Sequence, residues 1–161
     1  MTSRPVASTR IEIDAPIEIV WAAMLDLPRY REWNPFVVDV RHAPPVVQVG
    51  TRFLLHVRWD SGKELDSWET VTRIDPPCAA HRPASAVLEY RYSAWLAVCG
   101  LVRATRAQRL TQSADGPTRY ETEEVFSGLL TRFLPLREVQ DGFERQALAL
   151  KQRAEMLAGQ R

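Results

Sequence analysis

The sequence predicts an α+β domain in which one antiparallel sheet packs against a long C-terminal helix. From residue 135 to 158, apolar residues recur every three or four positions, which is the period of an amphipathic helix. Between residues 37 and 128, short alternating segments are separated by turn residues, which is typical of hairpin-connected strands. The apolar face of the helix must be covered by this sheet, and the two enclose either a solid core or a cavity.

Composition narrows the possible partners. The chain has 161 residues and a net charge of +1, with no basic run interleaved with aromatic residues, which argues against nucleic acid. We expect a single domain over 1–161, with a flexible polar tail at 1–8. The N-terminus has no apolar signal segment, and no apolar run reaches the roughly 18 residues of a membrane span. These features predict a cytoplasmic protein without stable membrane insertion.

Cysteine and histidine positions give no support for a metal or a cofactor. Cys78 and Cys99 have neither a disulfide framework nor a metal-ligand spacing, and they are predicted to be free thiols. No phosphate-binding loop or nucleophile motif occurs. We therefore expect no metal site and no cofactor, because the three histidines are also dispersed: His42, His56 and His81.

The first elements are a strand and two helices. Thr9–Asp14 alternates apolar and polar residues, as a half-buried strand does. Asp14 and Pro16 mark the start of a helix with a buried face up to Leu25. A second short helix is predicted over Pro28–Trp33, because Pro35 disfavours helix at the residue before it.

Six more strands and the long helix complete the order. The segment 42–50 is a loop because its two prolines do not fit a central strand, and Ser61-Gly62 is a hairpin turn. The predicted strands are Val37–Arg41, Thr51–Trp59, Glu64–Ile74, Leu88–Leu96, Val102–Gln112 and Thr118–Gly128.

Several short motifs follow one another in a characteristic order. They are APIEIVW at 15–21, WNPF at 33–36, GTRF at 50–53, DPP at 75–77, EVFSGLL at 124–130 and Gly142-Phe143 in the final helix. In these motifs the chain resembles the SRPBCC superfamily of START-like, polyketide cyclase/dehydrase and pollen-allergen-like proteins, over about residues 9–158. The resemblance implies a helix-grip fold, in which a curved antiparallel sheet wraps around the C-terminal helix and leaves an internal hydrophobic cavity.

Polar residues on the inward face of the last three strands are the main candidates for a site. If the hairpins keep even-numbered residues opposite one another, two cross-strand rows form. One row is Tyr92, Arg106 and Glu124, and the next is Tyr90, Gln108 and Thr122, with Phe126 on the same face. Such polar groups suggest a ligand cavity, and the alternative is an Arg-Glu pair that satisfies itself.

The first hairpin adds apolar lining and one further carboxyl group. Strand parity points Phe53, Leu55, Val57 and Trp59 inward. The same parity turns Glu69 inward, where burial would raise its pKa, although Trp68 and Ile74 favour the opposite assignment. An outward, solvated Glu69 is therefore the equal alternative.

Other apolar positions complete the predicted cavity. The resemblance places Trp33 and Phe36 at the cavity entrance, with plain helix-to-sheet packing as the alternative. From the final helix, Val139, Phe143, Ala147 and Leu150 supply an apolar wall, and Gly142 either lets the backbone pass close to a neighbour or leaves room beneath the helix. The uncharged tip 96–102 is a lid or is tucked against its own helix, in preference to a patch for membrane or partner contact.

Two functions fit this cavity. One is binding of a hydrophobic, aromatic or polycyclic small molecule. The other is a cofactor-independent reaction of the polyketide cyclase or dehydratase type, in which Arg106 polarises a carbonyl and Glu124 or Glu69 moves a proton. A third class, a co-chaperone or assembly module, would require an exposed apolar patch, and the sequence leaves the oligomeric state open.

Overall fold

The computed structural model describes residues 6–78, 83–114 and 116–160. Two short 3-10 turns, at Leu27–Arg29 and Thr131–Phe133, precede the second and the last helix. The helices and strands are β1 Val6–Ile13, α1 Ile17–Leu25, α2 Tyr30–Trp33, β2 Val37–Arg41, β3 Arg52–Arg58, β4 Glu64–Asp75, β5 Ala84–Tyr92, α3 Trp95–Val98, β6 Arg103–Gln112, β7 Thr118–Ser127 and α4 Leu136–Gly159.

The seven strands form one antiparallel sheet with the order β1-β7-β6-β5-β4-β3-β2. The sheet curls into a half-barrel around α4, which confirms the predicted helix-grip fold. Each strand from β2 to β7 pairs with its neighbour in sequence, while β1 pairs with the last strand and so brings the N-terminal segment beside α4. The edges of the sheet are therefore β1 and β2.

Side chains of α4 cover the free edge of β1. Gln140 binds the backbone of Ser8 twice, accepting from its N–H at 2.9 Å and donating to its carbonyl at 2.7 Å. Further along, Lys151 Nζ donates to the carbonyl of Glu12 at 2.7 Å. An edge strand otherwise presents unpaired backbone groups, so these bonds both satisfy β1 and fix α4 along it.

The N-terminal strand begins earlier than predicted. Residues 6–8, assigned from the sequence to a flexible tail, are paired with β7, with Val6 opposite Val125 and Ser8 opposite Glu123. The alternation that marks a strand is weak here because the small residues Ala7 and Ser8 carry little pattern. Residues 1–5 of the predicted tail lie outside the described residues, as does His81.

The connection between β5 and β6 also differs from the prediction. The sequence predicts a strand over Leu88–Leu96 followed by a tight turn at 98–100. The structure ends β5 at Tyr92 and forms the short helix α3, with Gly100 at a φ of +69° closing the turn. A longer, helical connection changes which residues of the two strands stand opposite each other.

Candidate functional site

A cavity of about 380 Å³ lies between the N-terminal half of α4 and the inner face of the sheet. It is partly open to solvent, and exposed side chains such as Leu65, with 51% of its surface accessible, belong to its lining. The walls are mostly apolar, and the polar residues Glu69, Arg106 and Glu124 reach the cavity from β4, β6 and β7. The predicted residues that line it are Phe36, Leu55, Val57, Trp59, Glu69, Tyr90, Tyr92, Arg106, Glu124, Phe126, Val139 and Phe143.

Arg106 is the buried cation of this cavity, with 3% of its surface exposed. Its Nε donates to Thr122 Oγ1 at 2.9 Å, and one terminal nitrogen donates to Gln146 Oε1 of α4 at 3.1 Å. The guanidinium carbon lies 3.9 Å from the centre of the Phe143 ring, a cation–π contact. These contacts fix the plane of the guanidinium while other N–H groups stay available to the cavity.

Two carboxyl groups share the cavity with Arg106, and both have raised pKa values. Burial raises the pKa of Glu69 to about 8, helped by the charge of Glu124 and opposed by the hydrogen bond from Ser67 Oγ at 2.6 Å. Burial also raises the pKa of Glu124 to about 7, against the attraction of Arg106. Near neutral pH each group therefore exchanges between the carboxylic acid and the carboxylate, which is the condition for general acid–base chemistry.

The register of the sheet confirms one part of the predicted rows and corrects another. Arg106 stands opposite Glu124, and Gln108 opposite Thr122, as expected. On the other side, Tyr90 rather than Tyr92 stands opposite Arg106. The inward face is unchanged because the shift is two residues, an even number, and its cause is the helical connection that replaces the expected tight turn.

The orientation of Glu69 is settled by its neighbours on β3 and β5. Glu69 pairs with Phe53 on one side and Tyr92 on the other, faces the cavity and is 5% exposed. Trp68 therefore points to the outer face, where its ring stacks on His42 at 5.4 Å and carries the Arg52 guanidinium at 4.5 Å. The apolar character of Trp68 is satisfied by these outer partners, which the alternation pattern alone does not show.

Gln108 and Thr122 face inward but lie beneath the cavity floor, so the structure does not place them in the lining. Gln108 accepts a hydrogen bond from Tyr120 at 2.7 Å and donates to Tyr90 at 3.3 Å. Thr122 accepts from Arg106. Both are almost fully buried. They support the side chains that do reach the cavity, and a direct ligand contact is not available to them in this arrangement.

Four further residues that the sequence predicts in the lining lie elsewhere. Phe53 packs edge-on to Tyr90 at 5.7 Å in the core, and Ala147 and Leu150 are buried on α4 further along the helix than Val139 and Phe143. Trp33 packs against Tyr30 at 5.0 Å and borders a separate open groove on the outer surface. The cavity occupies only one end of the space between sheet and helix, and a ligand contact of these four residues stays a prediction.

Phe36 explains the glycine in the middle of α4. A Cβ at Gly142 would lie 2.4 Å from the Phe36 ring, so only glycine admits this ring beneath the helix. Phe36 in turn packs edge-on to Phe143 at 6.0 Å and tilts against Trp59 at 5.5 Å. The sequence-based expectation that Gly142 leaves room beneath the helix is confirmed.

Several site residues were not identified from the sequence. Gln146 is the most important, because it links α4 to Arg106, and its position three residues after Phe143 on the buried face was an available signal. Loop residues such as Leu134 and Pro135 had no such periodic signal, whereas the parity that turns Glu69 inward also turns Leu65 and Ser67 inward. The further lining residues are Lys63, Glu64, Leu65, Asp66, Ser67, Leu96, Val102, Ala104, Leu134 and Pro135.

Two kinds of feature are absent from the part of the chain that the structure describes. Within residues 6–78, 83–114 and 116–160, no helix combines the length and the apolar character that crossing a membrane requires. The same residues contain no group of three or more His, Cys, Asp or Glu side chains arranged to hold a metal ion.

Solved structures with the same fold include two aromatase/cyclases. The chain is similar to the Zhui aromatase/cyclase from Streptomyces sp. R1128, with a TM-score of 0.66, 18% identity, and coverage of 99% of this chain and 96% of that one. The di-domain ARO/CYC BexL from the BE-7585A biosynthetic pathway gives a TM-score of 0.65 and 15% identity over 98% of this chain. This chain spans only 50% of that di-domain protein.

A third similar structure shares the fold, and the sequence itself matches a protein family. Ara h 8.0201 gives a TM-score of 0.64 and 15% identity over 99% of this chain and 100% of that one. At such identities the likeness shows the fold alone, and no curated protein sequence matches the chain significantly. A family model described as polyketide cyclase / dehydrase and lipid transport matches residues 4–155. The chain therefore belongs to the polyketide cyclase/dehydrase and lipid transport family.

Proposed function

We propose that the cavity binds an apolar, aromatic or polycyclic small molecule that carries a polar oxygen. The observation that carries this proposal is the combination of an apolar chamber with a buried guanidinium facing it. A volume of about 380 Å³ falls in the roughly 300–1,000 Å³ typical of small-molecule sites. The family assignment supports a hydrophobic ligand.

Arg106 orients this ligand. The hydrogen bonds to Thr122 and Gln146 and the Phe143 ring hold the guanidinium in place before a ligand arrives. A ligand carbonyl, enol or carboxylate oxygen can then accept hydrogen bonds from the guanidinium N–H groups that face the cavity. Preorganisation of this kind contributes affinity because little side-chain freedom is lost on binding.

The test is a titration with 8-anilino-1-naphthalenesulfonate, an aromatic probe with an anionic group, monitored by its fluorescence. We expect Arg106→Met to weaken binding about tenfold or more, since a charge-assisted hydrogen bond contributes on the order of 1.5–3 kcal/mol. Arg109→Met is the matched control because Arg109 lies on the exposed face of the same strand. Equal affinity of the Arg106 and Arg109 variants would contradict the proposed orientation.

Native mass spectrometry identifies any natural ligand. The intact protein is expected to carry a co-purified hydrophobic compound that is displaced by the probe. A compound that remains bound while the probe occupies the cavity would contradict the assignment of the cavity as its site. We also propose a cytoplasmic location, which stays a prediction from the sequence.

A second candidate function is a cyclisation or dehydration reaction in the same cavity. The specific observation in its favour is the pair of carboxyl groups with pKa values of about 8 and about 7 beside one guanidinium. Arg106 would polarise a ligand carbonyl, and a carboxylate would remove a proton from the neighbouring carbon to give an enolate. The second carboxylic acid would then give its proton to a departing hydroxyl group, which leaves as water.

Proton removal can be measured without the natural substrate. With an arylacetone in D₂O, we expect the protein to accelerate exchange of the hydrogens next to the carbonyl. The rate should rise with pH through about 7–8 and then level off, because only the ionised carboxyl group accepts a proton. Glu124→Gln should reduce the exchange rate while probe binding persists. If both the Glu69→Gln and the Glu124→Gln variants keep the full exchange rate, this function is rejected and the binding function stands.

A further inference from the structure

Two loops beside the cavity expose large apolar side chains to solvent. One loop, residues 93–102, contains α3, and the other, residues 128–135, connects β7 to α4. Four of their side chains form what we call the mouth patch. They are Trp95 at 68% exposure, Val98 at 84%, Leu129 at 77% and Phe133 at 68%.

The two loops are joined to each other and to the cavity. Leu130 N–H donates to the carbonyl of Leu101 at 2.9 Å. Gly128, with a φ of +117°, approaches the same carbonyl so closely that a Cβ would lie 2.5 Å from its oxygen. Each loop also supplies cavity lining, for example Leu96 from the first and Leu134 from the second. The mouth patch therefore borders the cavity and does not form a separate feature.

Leu96 and Trp95 show the difference between a lid and a patch. Leu96 is half-buried and lines the cavity, as the lid interpretation of this tip requires. Trp95, one residue earlier, points away and is mostly exposed, and Val98 is exposed as well. The tip thus covers the ligand chamber with one side and offers apolar side chains to the surroundings with the other.

The charged residues within the two loops and their immediate flanks, up to but not including Glu124 and Glu138, have one sign. Residues 93–104 and 125–137 contain Arg103, Arg132 and Arg137 and no Asp or Glu, although the net charge of the chain is only +1. All three arginines are exposed. The Arg132 guanidinium lies 4.7 Å from the centre of the Phe133 ring, so charge and apolar surface are adjacent. Across the cavity opening, the lining residues Lys63, Glu64 and Asp66 have mixed charge.

We propose that the mouth patch docks the cavity opening onto an anionic lipid surface. Tryptophan and phenylalanine side chains prefer the headgroup level of a bilayer, where the arginines contact lipid phosphates. Each basic residue near an anionic membrane adds attraction. The four apolar side chains are strongly exposed and none of them lines the cavity, which suits a soft lipid interface better than a protein partner with matching pockets.

Docking in this way is peripheral and reversible. Four protruding side chains and three arginines provide a shallow contact, and no backbone segment enters the hydrocarbon region. The docked orientation directs the cavity opening toward the lipid surface, which would allow an apolar ligand to pass between bilayer and cavity without crossing water. This surface is additional to the proposed ligand site and does not depend on which ligand the cavity holds.

The two cysteines provide a direct test, because both are free and exposed. Cys99 follows α3 within the first loop, whereas Cys78 follows the end of β4 that lies away from the opening. Cys78→Ser and Cys99→Ser each leave one thiol for a polarity-sensitive fluorophore. Vesicles of phosphatidylcholine and phosphatidylglycerol should shift the emission of the Cys99 label to the blue and leave the Cys78 label unchanged.

Substitutions separate the contribution of the arginine charges to docking from that of the apolar side chains. In vesicle cosedimentation, Arg132→Gln and Arg137→Gln should each lower the partition coefficient roughly fivefold. Trp95→Ser should lower it about tenfold or more. The matched controls are Arg119→Gln and Val46→Ser, which change an exposed arginine and an exposed valine elsewhere on the molecule. Circular dichroism verifies that each variant is folded.

Three results would overturn the proposal. Labels at Cys99 and Cys78 that respond equally to vesicles would show non-specific adsorption. Equal partition into anionic and pure phosphatidylcholine vesicles at low and high salt would remove the role of the arginines. A Cys99 shift that appears without vesicles as protein concentration rises, and that is lost in Trp95→Ser, would show that the patch binds a second copy of the chain.

Discussion

The two halves of α4 have the same apolar periodicity but different surroundings. In the N-terminal half, Val139 and Phe143 form the roof of the ligand cavity. In the C-terminal half, Leu150 and Ala154 are 1% and 0% exposed and belong to a filled core. Gln146 lies between the two halves and bonds to Arg106.

What lies opposite the helix decides between cavity and core. The N-terminal half faces β3 to β7 at the polar positions Glu69, Arg106 and Glu124, and these groups need space and solvent or a ligand. The C-terminal half is held against the β1–α1 connection, where Asp14 N–H donates to Glu155 Oε1 at 2.9 Å. One helix can therefore close a solid core and roof a chamber, because burial depends on the partner surface as much as on the helix.

The largest expected effect is in the filled half. Leu150→Ala should lower the free energy of unfolding by about 2–5 kcal/mol, because a fully buried leucine leaves a cavity that its neighbours cannot fill. Urea denaturation measures this change. Leu148→Ala is the control, since Leu148 is 52% exposed on the other side of α4. Similar losses for both variants would contradict the distinction between a filled and an open half.

The next effect is the pH dependence of stability in the cavity half. The pKa of Glu69 is about 8 in the folded protein against an ordinary 4.5, so between these values the folded state holds a proton that the unfolded state has released. Stability then falls as pH rises through this window. Glu69→Gln should remove that fall and raise the free energy of unfolding above pH 8 by on the order of a few kcal/mol.

The comparison of the unaltered protein with the Glu69→Gln variant contains its own control. Below about pH 4 both Glu69 and its glutamine replacement are neutral, so the two unfolding curves should come close together. A Glu69→Gln difference that is independent of pH would mean that packing and not ionisation distinguishes the two side chains.

An intermediate effect is expected where Phe36 passes beneath α4. Gly142→Ala should lower the free energy of unfolding by about 1–3 kcal/mol, because the new Cβ would overlap the Phe36 ring and force a shift of the cavity wall. Probe binding should change as well, since Phe36 lines the cavity. Gly159→Ala is the control, because nothing lies within 4 Å of a Cβ there. Unchanged stability in Gly142→Ala would show that this wall yields easily.

The smallest effect concerns the outer face of the β3–β4 hairpin, whose inner face carries Glu69. Hydrogen bonds from His56 to Asp66 at 2.6 Å and Glu64 at 2.9 Å raise the pKa of His56 above its ordinary 6.5. This stabilisation is complete below pH 6.5 and is lost as pH rises through the raised value. His56→Gln should therefore lower stability at pH 6 by less than about 1 kcal/mol and leave it unchanged at pH 9.

The signs of the two pH effects separate the faces of the sheet. Removing the inner carboxyl group of Glu69 raises stability at high pH, whereas removing the outer imidazole of His56 lowers it at low pH. If thermal unfolding from pH 5 to 9 shows both variants shifting stability in the same direction, the assignment of one group to the cavity and the other to the surface is wrong.

Much of the fold could be predicted from local patterns. The order of one strand, two helices, six strands and a final helix is confirmed apart from the short helix α3 between β5 and β6. The alternation that turns Arg106 and Glu124 inward is a local property of a pleated strand. Strand ends were less accurate: β1 begins three residues earlier than predicted, and β5 spans Ala84–Tyr92. At these ends small or ambiguous residues weaken the pattern.

The candidate site was only partly accessible to such reasoning. Strand parity allowed Glu69 inside the sheet, but the competing preference of Trp68 was resolved only by its contacts with His42 and Arg52. Likewise, parity assigned Gln108 to the inner face without showing that Tyr90 and Tyr120 bind it below the cavity floor. Depth within a core depends on neighbours that are distant in sequence.

The sequence by itself determined the elements, their order and the face on which each strand residue lies, because periodicity and turn chemistry act between near neighbours. Only the tertiary structure decided that Tyr90 stands opposite Arg106, since the register follows from a loop that forms α3. It also decided where α4 roofs a cavity and where it closes a core. The raised pKa values of Glu69 and Glu124 also depend on the tertiary structure, because burial and charge–charge distances exist only once remote strands have been brought together.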